Sequence, residues 1–340
     1  MISFGKYLKD YLEFNNISQT EFAMRMGITQ KHMNELLNEK TNITLELAAN
    51  IERLTGIDSG FIINVENSKK LSDKILKDCG DIKNVKKMLT KDYHISELKK
   101  NNWINFRDET NPMQMCIDIL NFLKIKDFSV VEKMKEQVLF KRTGNDFNKI
   151  ALWVAHCDEI ANKQEVNEYN KYNFNFLIQD LKDDSYRKGI DVEKIKKILN
   201  CYGIYFVCEK AMSGSKIRGC FKVRGKHPAI YITDNYAGKD SLYYELFHEL
   251  GHCKSDYNEA KNKIIIEGTQ LQEERADSFA IYTMIPKNLW QELDNVDINE
   301  ENLQVFSNKY KTPMSFIVGR LAKNKKIKYS SKIYQTYCKS

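Results

Sequence analysis

Apolar positions in the first 66 residues recur at helical spacing between short polar breaks. Phe4, Leu8 and Leu12, with Tyr7 and Tyr11 beside them, make the stripe of a first helix. Ser18 precedes "QTEFAMRMG" with Glu21 three residues on, the signature of a capping box, and Gly27 ends that helix. Thr29 is placed to cap the next helix, "QKHMNELLN". Thr44 opens another, "LELAANIERLTG", closed by Gly56. Two short helices joined by a tight turn at Gly27 form a helix-turn-helix pattern.

Residues 67–100 are lysine-rich and polar, and read as a helical linker or a weakly packed segment. From "NPMQMCIDILNFLKI" to about Leu181 the apolar spacing stays helical, as at Met115, Ile119, Leu120 and Leu123, then at Ala151, Val154 and Ala155. His156, Cys157 and Asp158 are adjacent, so they point to different faces of a helix and read as structural rather than as a ligand set. Beyond Asp191 the pattern changes. The helix "VEKIKKILNCYG" gives way to the β-rich run "IYFVCE". Two further runs, "GCFKV" and "HPAIYIT", are expected to pair as strands about an "RGKH" turn. A helix carrying "LYYELFHELGHCKSD" follows, then "LQEERADSFAIYTMI", stopped by Pro286. The expectation is a multidomain chain: an all-α helix-turn-helix domain over 1–66, a helical middle region over 67–189, an α+β domain over 190–322 and a basic tail over 323–340.

Composition narrows the setting. With 340 residues the chain is long enough for two or three domains, and 29% charged against 42% hydrophobic residues is ordinary for a globular protein. No apolar run approaches the ~20 residues that span a bilayer, and the first residues lack a signal-like apolar core. A cytoplasmic protein without membrane contact is expected. The eight cysteines are scattered with no C-x-x-C pair, which reads as reduced, buried thiols. The net charge of +7 is uneven: residues 1–66 carry six Lys/Arg against nine Asp/Glu, whereas residues 307–340 carry nine basic residues and no acidic one.

The chemistry is concentrated in His248-Glu249-Leu250-Gly251-His252. Residues i and i+4 share a helix face, so His248 and His252 can direct two imidazoles at one zinc ion. Glu249 lies beside them as a base toward water. Asn258 stands where a third histidine of the spacing H-E-x-x-H-x-x-G-x-x-H would fall. The next helix offers Glu267 just before it, and Glu273 and Glu274 within it. Glu273 shares a face with Ala276, Asp277, Ala280 and Met284, and the small alanines allow close approach of another helix. Glu274 is about 100° away on that helix. Glu273 is therefore the expected third ligand. Asp277, one turn on, is placed to accept the outward N–H of a ligand histidine.

"FHELGH" followed by Glu273, Ala276, Asp277, Phe279, Ala280, Met284 and Pro286 resembles the ImmA/IrrE metallopeptidases, over about residues 190–322. Tyr282 and Thr283 depart from that family's usual leucines. The resemblance implies a zincin-like fold, zinc held by His248, His252 and Glu273, and Glu249 as general base for amide hydrolysis. It also implies a helix-turn-helix repressor as substrate. The stretch "SQTEFAMRMGITQKHMNELLNEKTNITLELAANIERLTGI" resembles the XRE family, and most closely its HigA-type antitoxin branch, although "GFIINVENS" keeps only part of that branch's continuation. Its buried positions would be Phe22, Ala23, Met26, Ile28, Met33, Leu36, Leu37, Leu47 and Ala48. Gln30, Lys31, His32 and Asn34 then project from the first turns of the second helix toward operator bases, with Gln19 and Asn42 as phosphate contacts.

Joined, the two ends describe a regulator, possible as a homodimer on operator DNA, that cleaves a repressor or antitoxin partner, or itself, by means of one catalytic zinc ion. The rival reading is a non-proteolytic HigA-like antitoxin or repressor whose zinc domain is a sensor or structural support.

Overall fold

The computed structural model describes residues 4–137, 146–187, 189–236, 238–266, 268–293 and 296–339. They divide into two compact units, Met1–Phe128 and Ser129–Ser340.

The first unit is helical throughout. Helices α1 (Phe4–Phe14), α2 (Gln19–Met26), α3 (Gln30–Leu37) and α4 (Leu45–Thr55) enclose Phe4, Leu8, Phe22, Met33, Leu36 and Ile51. Burying each such side chain contributes about 1.5–3 kcal/mol. Of the nine positions expected inside, eight are buried and Ile28 is half-buried. The caps set the helix boundaries. Ser18, Thr29 and Thr44 each accept a hydrogen bond from the backbone N–H three residues on. The box expected at Ser18 is only half made, because the Glu21 carboxylate turns outward to Arg25. Gly27 takes the left-handed conformation, φ +66°, that closes α2 and aims the chain into α3.

Helix α5 (Ser59–Cys79) runs through the boundary expected at residue 66, with Ile62 buried near its start and Ile75 near its end. Helices α6 (Ile82–Lys91), α7 (Ile95–Lys100) and α8 (Pro112–Leu123) complete the unit. Val85, Leu89 and Leu98 are buried, so residues 67–100 are an integral part of it rather than a weakly packed linker. Lysine stems and short apolar stripes coexist there, and the high charge masks the stripes.

In the second unit α9 (Ser129–Gln137), α10 (Phe147–Ala161), α11 (Phe174–Ser185) and α12 (Val192–Cys201) precede a three-stranded sheet of β1 (Tyr205–Cys208), β2 (Gly219–Arg224) and β3 (His227–Ile232). The order is β1-β3-β2: β2 and β3 form the expected hairpin, in which Arg224 opposes His227, and β1 adds parallel to β3. Asp158 of α10 accepts from Tyr231 Oη at 2.7 Å and pairs with Lys222 at 2.9 Å, which fixes that helix to the sheet.

Helices α13 (Lys239–Ser255), α14 (Tyr257–Ala260), α15 (Gln270–Met284), α16 (Lys287–Leu293), α17 (Glu300–Tyr310), α18 (Met314–Lys323) and α19 (Lys332–Cys338) follow. Leu242, Tyr243, Leu246, Phe247 and Leu250 of α13 join Phe206, Phe221, Ile230 and Ile232 of the sheet in one core. Phe174, Leu177 and Leu181 of α11 belong to the same core, as do Tyr334 and Cys338 of α19. Two expectations are corrected by this. The α+β unit recruits helices from the presumed middle region, and residues 323–340 are no free tail but end in a docked helix. Among the described residues no helix is long and apolar enough to cross a membrane.

Candidate metal centre and helix-turn-helix face

Leu242, Leu246, Phe247 and Leu250 of α13 pack into the core, so Tyr244, His248 and His252 fall toward α15, while Glu249 turns toward the start of β2. Helix α15 crosses that face closely. A Cβ built on Gly251 would lie 2.8 Å from Ala276 Cα, so only glycine fits this approach. The small residues anticipated on α15 thus meet a glycine inside the motif itself.

The approach brings three donors together. His248 Nε2 and His252 Nε2 are 3.2 Å apart, and each lies 3.4 Å from an oxygen of Glu273. Among the described residues His248, His252 and Glu273 are the group whose donor atoms can share one metal ion. Four ligands at ordinary zinc bond lengths in a tetrahedron are separated by roughly 3.3–3.4 Å. The spacing of the three atoms fits that figure and leaves a fourth position for water or substrate. Glu274 turns away to Gln270, and Glu267 lies outside the described residues.

Each histidine is oriented from behind. His248 Nδ1 donates to Asp277 Oδ1 at 3.0 Å, the partner expected from sequence. His252 Nδ1 donates to Asp256 Oδ2 at 2.8 Å, and Arg275 holds the other oxygen of Asp256 at 3.0 Å. With both Nδ1 atoms committed, both Nε2 lone pairs are aimed at the same point. Asp256 is not among the residues expected from the sequence, although its position four residues after His252, at the C-cap of α13, is an available signal. Tyr244 donates its hydroxyl to Asp277, and the Gly268 N–H donates to Glu273.

Electrostatics agree with a cation. Burial works against charge on His248, but Asp277 and Glu273 outweigh it and raise the ring to about 10. His252 is raised in the same sense against the cost of its burial. Burial also opposes the charge of Glu273, yet hydrogen bonds from His248, His252 and Gly268 hold its carboxyl well below the usual range. Two rings that both favour a positive charge with their Nε2 atoms in contact are a costly arrangement, which one shared metal ion relieves.

Glu249 is buried at 3% exposure, and its Oε2 has no hydrogen-bond partner. Burial pushes its carboxyl up to about 7 against the pull of the two histidines. Gly219, at the start of the edge strand β2, lies directly against this carboxylate and leaves no room for a Cβ. That contact had no sequence signal, since it joins residues 30 apart through the sheet. A cavity of about 300 Å³ opens over the centre, lined by Arg218, Gly219, Tyr244, Glu249 and Lys323 among others.

In the first unit, Gln30, Lys31 and Asn34 of α3 are exposed and His32 is half-buried. Gln19 at the start of α2 is half-buried and Asn42 is exposed. Asn34 Oδ1 accepts from Asn38 Nδ2 at 2.6 Å, while Lys31 lies 4.0 Å from Glu35. The first turn of α3 carries no acidic residue, so its N-terminal end presents donors and the positive end of the helix to a partner.

Residues 8–62 match the family model described as Helix-turn-helix. No curated protein matches the chain. The matched span covers α2 and α3 with their Gly27 turn, so residues 8–62 of this chain are a helix-turn-helix domain, which suggests a DNA-binding regulator.

Proposed function

We propose that the chain is a DNA-binding regulator whose second unit is a zinc-dependent endopeptidase of the ImmA/IrrE kind, directed at a helix-turn-helix repressor or antitoxin, or at the chain itself. The observation that carries this reading is the convergence of His248, His252 and Glu273 at zinc-ligand spacing with an unpartnered Glu249 carboxylate oxygen beside them. A bound zinc ion supplies Lewis-acid polarisation of water and of a peptide carbonyl. The residues supply the rest. Asp277 and Asp256 hold the two imidazoles in the ligating tautomer. Glu249, in a dry wall and raised to about 7, takes a proton from the attacking water and passes it to the departing amine. Tyr244, with its hydroxyl on Asp277, keeps that carboxylate in place. The helix-turn-helix domain would bind operator DNA, as a homodimer if the usual two half-site arrangement applies.

The test combines metal analysis of the purified full chain with incubation alongside a purified helix-turn-helix repressor. Wild type should hold about one zinc ion per chain and cut the partner at a single peptide bond. Glu249→Gln should keep the zinc and lose cleavage by about 10²–10⁴-fold. Stoichiometric zinc without cleavage by the wild type would discard proteolysis and leave the centre as a metal sensor or support.

A further inference from the structure

Beside the closing turn of α13 lies a cleft of about 840 Å³, within the range of small-molecule sites and unused by the metal reading. One wall is the segment 169–175 and the other runs from Cys253 to Lys261. No Asp or Glu lines it, whereas Lys171, Lys254 and Lys261 do. Each ammonium group rests on a ring face: Lys171 at 5.3 Å from the Tyr172 centroid, Lys261 at 5.1 Å from Tyr257, and Lys254 at 5.1 Å from Phe279. None of the three is paired with a carboxylate among the described residues. Ring faces compensate an ammonium far less than a carboxylate does, so the cleft keeps a positive potential.

The other lining groups suit a planar, polar ligand. Tyr169 and Tyr257 stack with centroids 5.6 Å apart, and Tyr172 beside them is 80% exposed. The side-chain amides of Asn175 and Asn258 have no partner among the described residues, and each can both donate and accept. Aromatic faces take up bases by stacking, amides read base edges, and unpaired lysines take phosphate. We propose that this cleft binds a free nucleotide carrying two or more phosphates. Its base lies on the exposed Tyr172 ring and its phosphates on the three lysines. The site adjoins the metal helix. Tyr257 follows Asp256, which orients His252, and Tyr169 Oη lies 3.8 Å from Cys253 Sγ, the neighbour of His252. Binding itself does not depend on the metal reading, so the two can fail separately.

Calorimetry on the full chain in magnesium buffer decides it, with ATP, adenosine, inorganic triphosphate and a ten-residue oligothymidylate as titrants. ATP should bind saturably, and more tightly than either adenosine or triphosphate. Replacing Lys171, Lys254 and Lys261 together by alanine should weaken ATP at least about tenfold. Tyr172→Ala should weaken it several-fold, while Lys287→Ala, outside the cleft, should leave it unchanged. All three positions are exposed, and a thermal melt checks that the variants fold. No saturation by ATP, triphosphate as tight as ATP, or a triple variant that binds normally would each overturn the assignment. The first two outcomes need no variant. Tighter binding of the oligothymidylate than of ATP would replace the free nucleotide by a nucleic-acid strand.

Discussion

In the proposed metal centre Asp277 is a carboxylate that orients a ligand without being one. Its oxygen receives His248 Nδ1 at 3.0 Å and also the Tyr244 hydroxyl, so the ring is held in one tautomer and one orientation. Asp277→Asn removes the charge that favours this tautomer. Zinc affinity should fall by about 10–100-fold, measured by competition with a chromogenic chelator, and the metal-free protein should melt lower near pH 7, where the His248–Asp277 ion pair contributes. An unchanged affinity would mean that Asp277 only holds Tyr244. Protonation follows from the same geometry. His248 is raised from 6.5 to about 10 in the folded, metal-free protein, so its ion pairs stabilise the fold fully below 6.5, and that contribution is lost as pH rises through about 10. Zinc must displace those protons. Its affinity should therefore climb with pH across this window, and calorimetry at pH 7 in buffers of different ionisation enthalpy should register proton release. Binding without proton release would show that the rings are already neutral.

Helices α13 and α15 carry the centre jointly, and their separation is set by Gly251 against Ala276. Gly251→Ala places a Cβ 2.8 Å from Ala276 Cα, so the helices must move apart. Overpacking of this kind costs about 1–3 kcal/mol, and here it also pulls Glu273 away from the two histidines. Loss of both zinc and thermal stability is expected, read by metal analysis and a melt. Gly27→Ala makes a useful contrast. Its Cβ would meet nothing within 4 Å, and the cost comes from φ +66° alone, about 1–2 kcal/mol. That variant should lose stability in the first unit and keep its zinc. Sequence periodicity anticipated both helices, the strand pair and the Gly27 turn. It did not anticipate that α5 would run on past residue 66, because one buried residue per several turns is too sparse a stripe to stand out among lysines.

The helix-turn-helix domain and the proposed metal centre lie in separate units and have separable readouts. Lys31 is exposed on α3, with Glu35 a loose 4.0 Å away, so it is available to DNA. Lys31→Ala should weaken operator binding, and if it contacts a phosphate it should reduce the slope of log affinity against log salt by about one. Zinc content should be unaffected. Glu273→Ala should do the opposite, abolishing stoichiometric zinc while operator affinity in a gel-shift titration stays within about twofold. Coupled loss of both in either variant would show that the two units do not act independently.

Local information was enough to write the helix-turn-helix into the sequence: caps at Ser18, Thr29 and Thr44, a left-handed Gly27, and stripes of period 3.6 all act within a few residues of one another. The same holds for the i, i+4 pair of histidines and for the shared face of Glu273 and Asp277. What the tertiary structure alone decided are contacts between segments distant along the chain. These are the meeting of α13 and α15 at zinc-ligand spacing, the edge-strand Gly219 against Glu249, the recruitment of α11 into the core and the docking of α19. Such contacts depend on how apolar faces are partitioned between elements, a choice that no single stripe specifies.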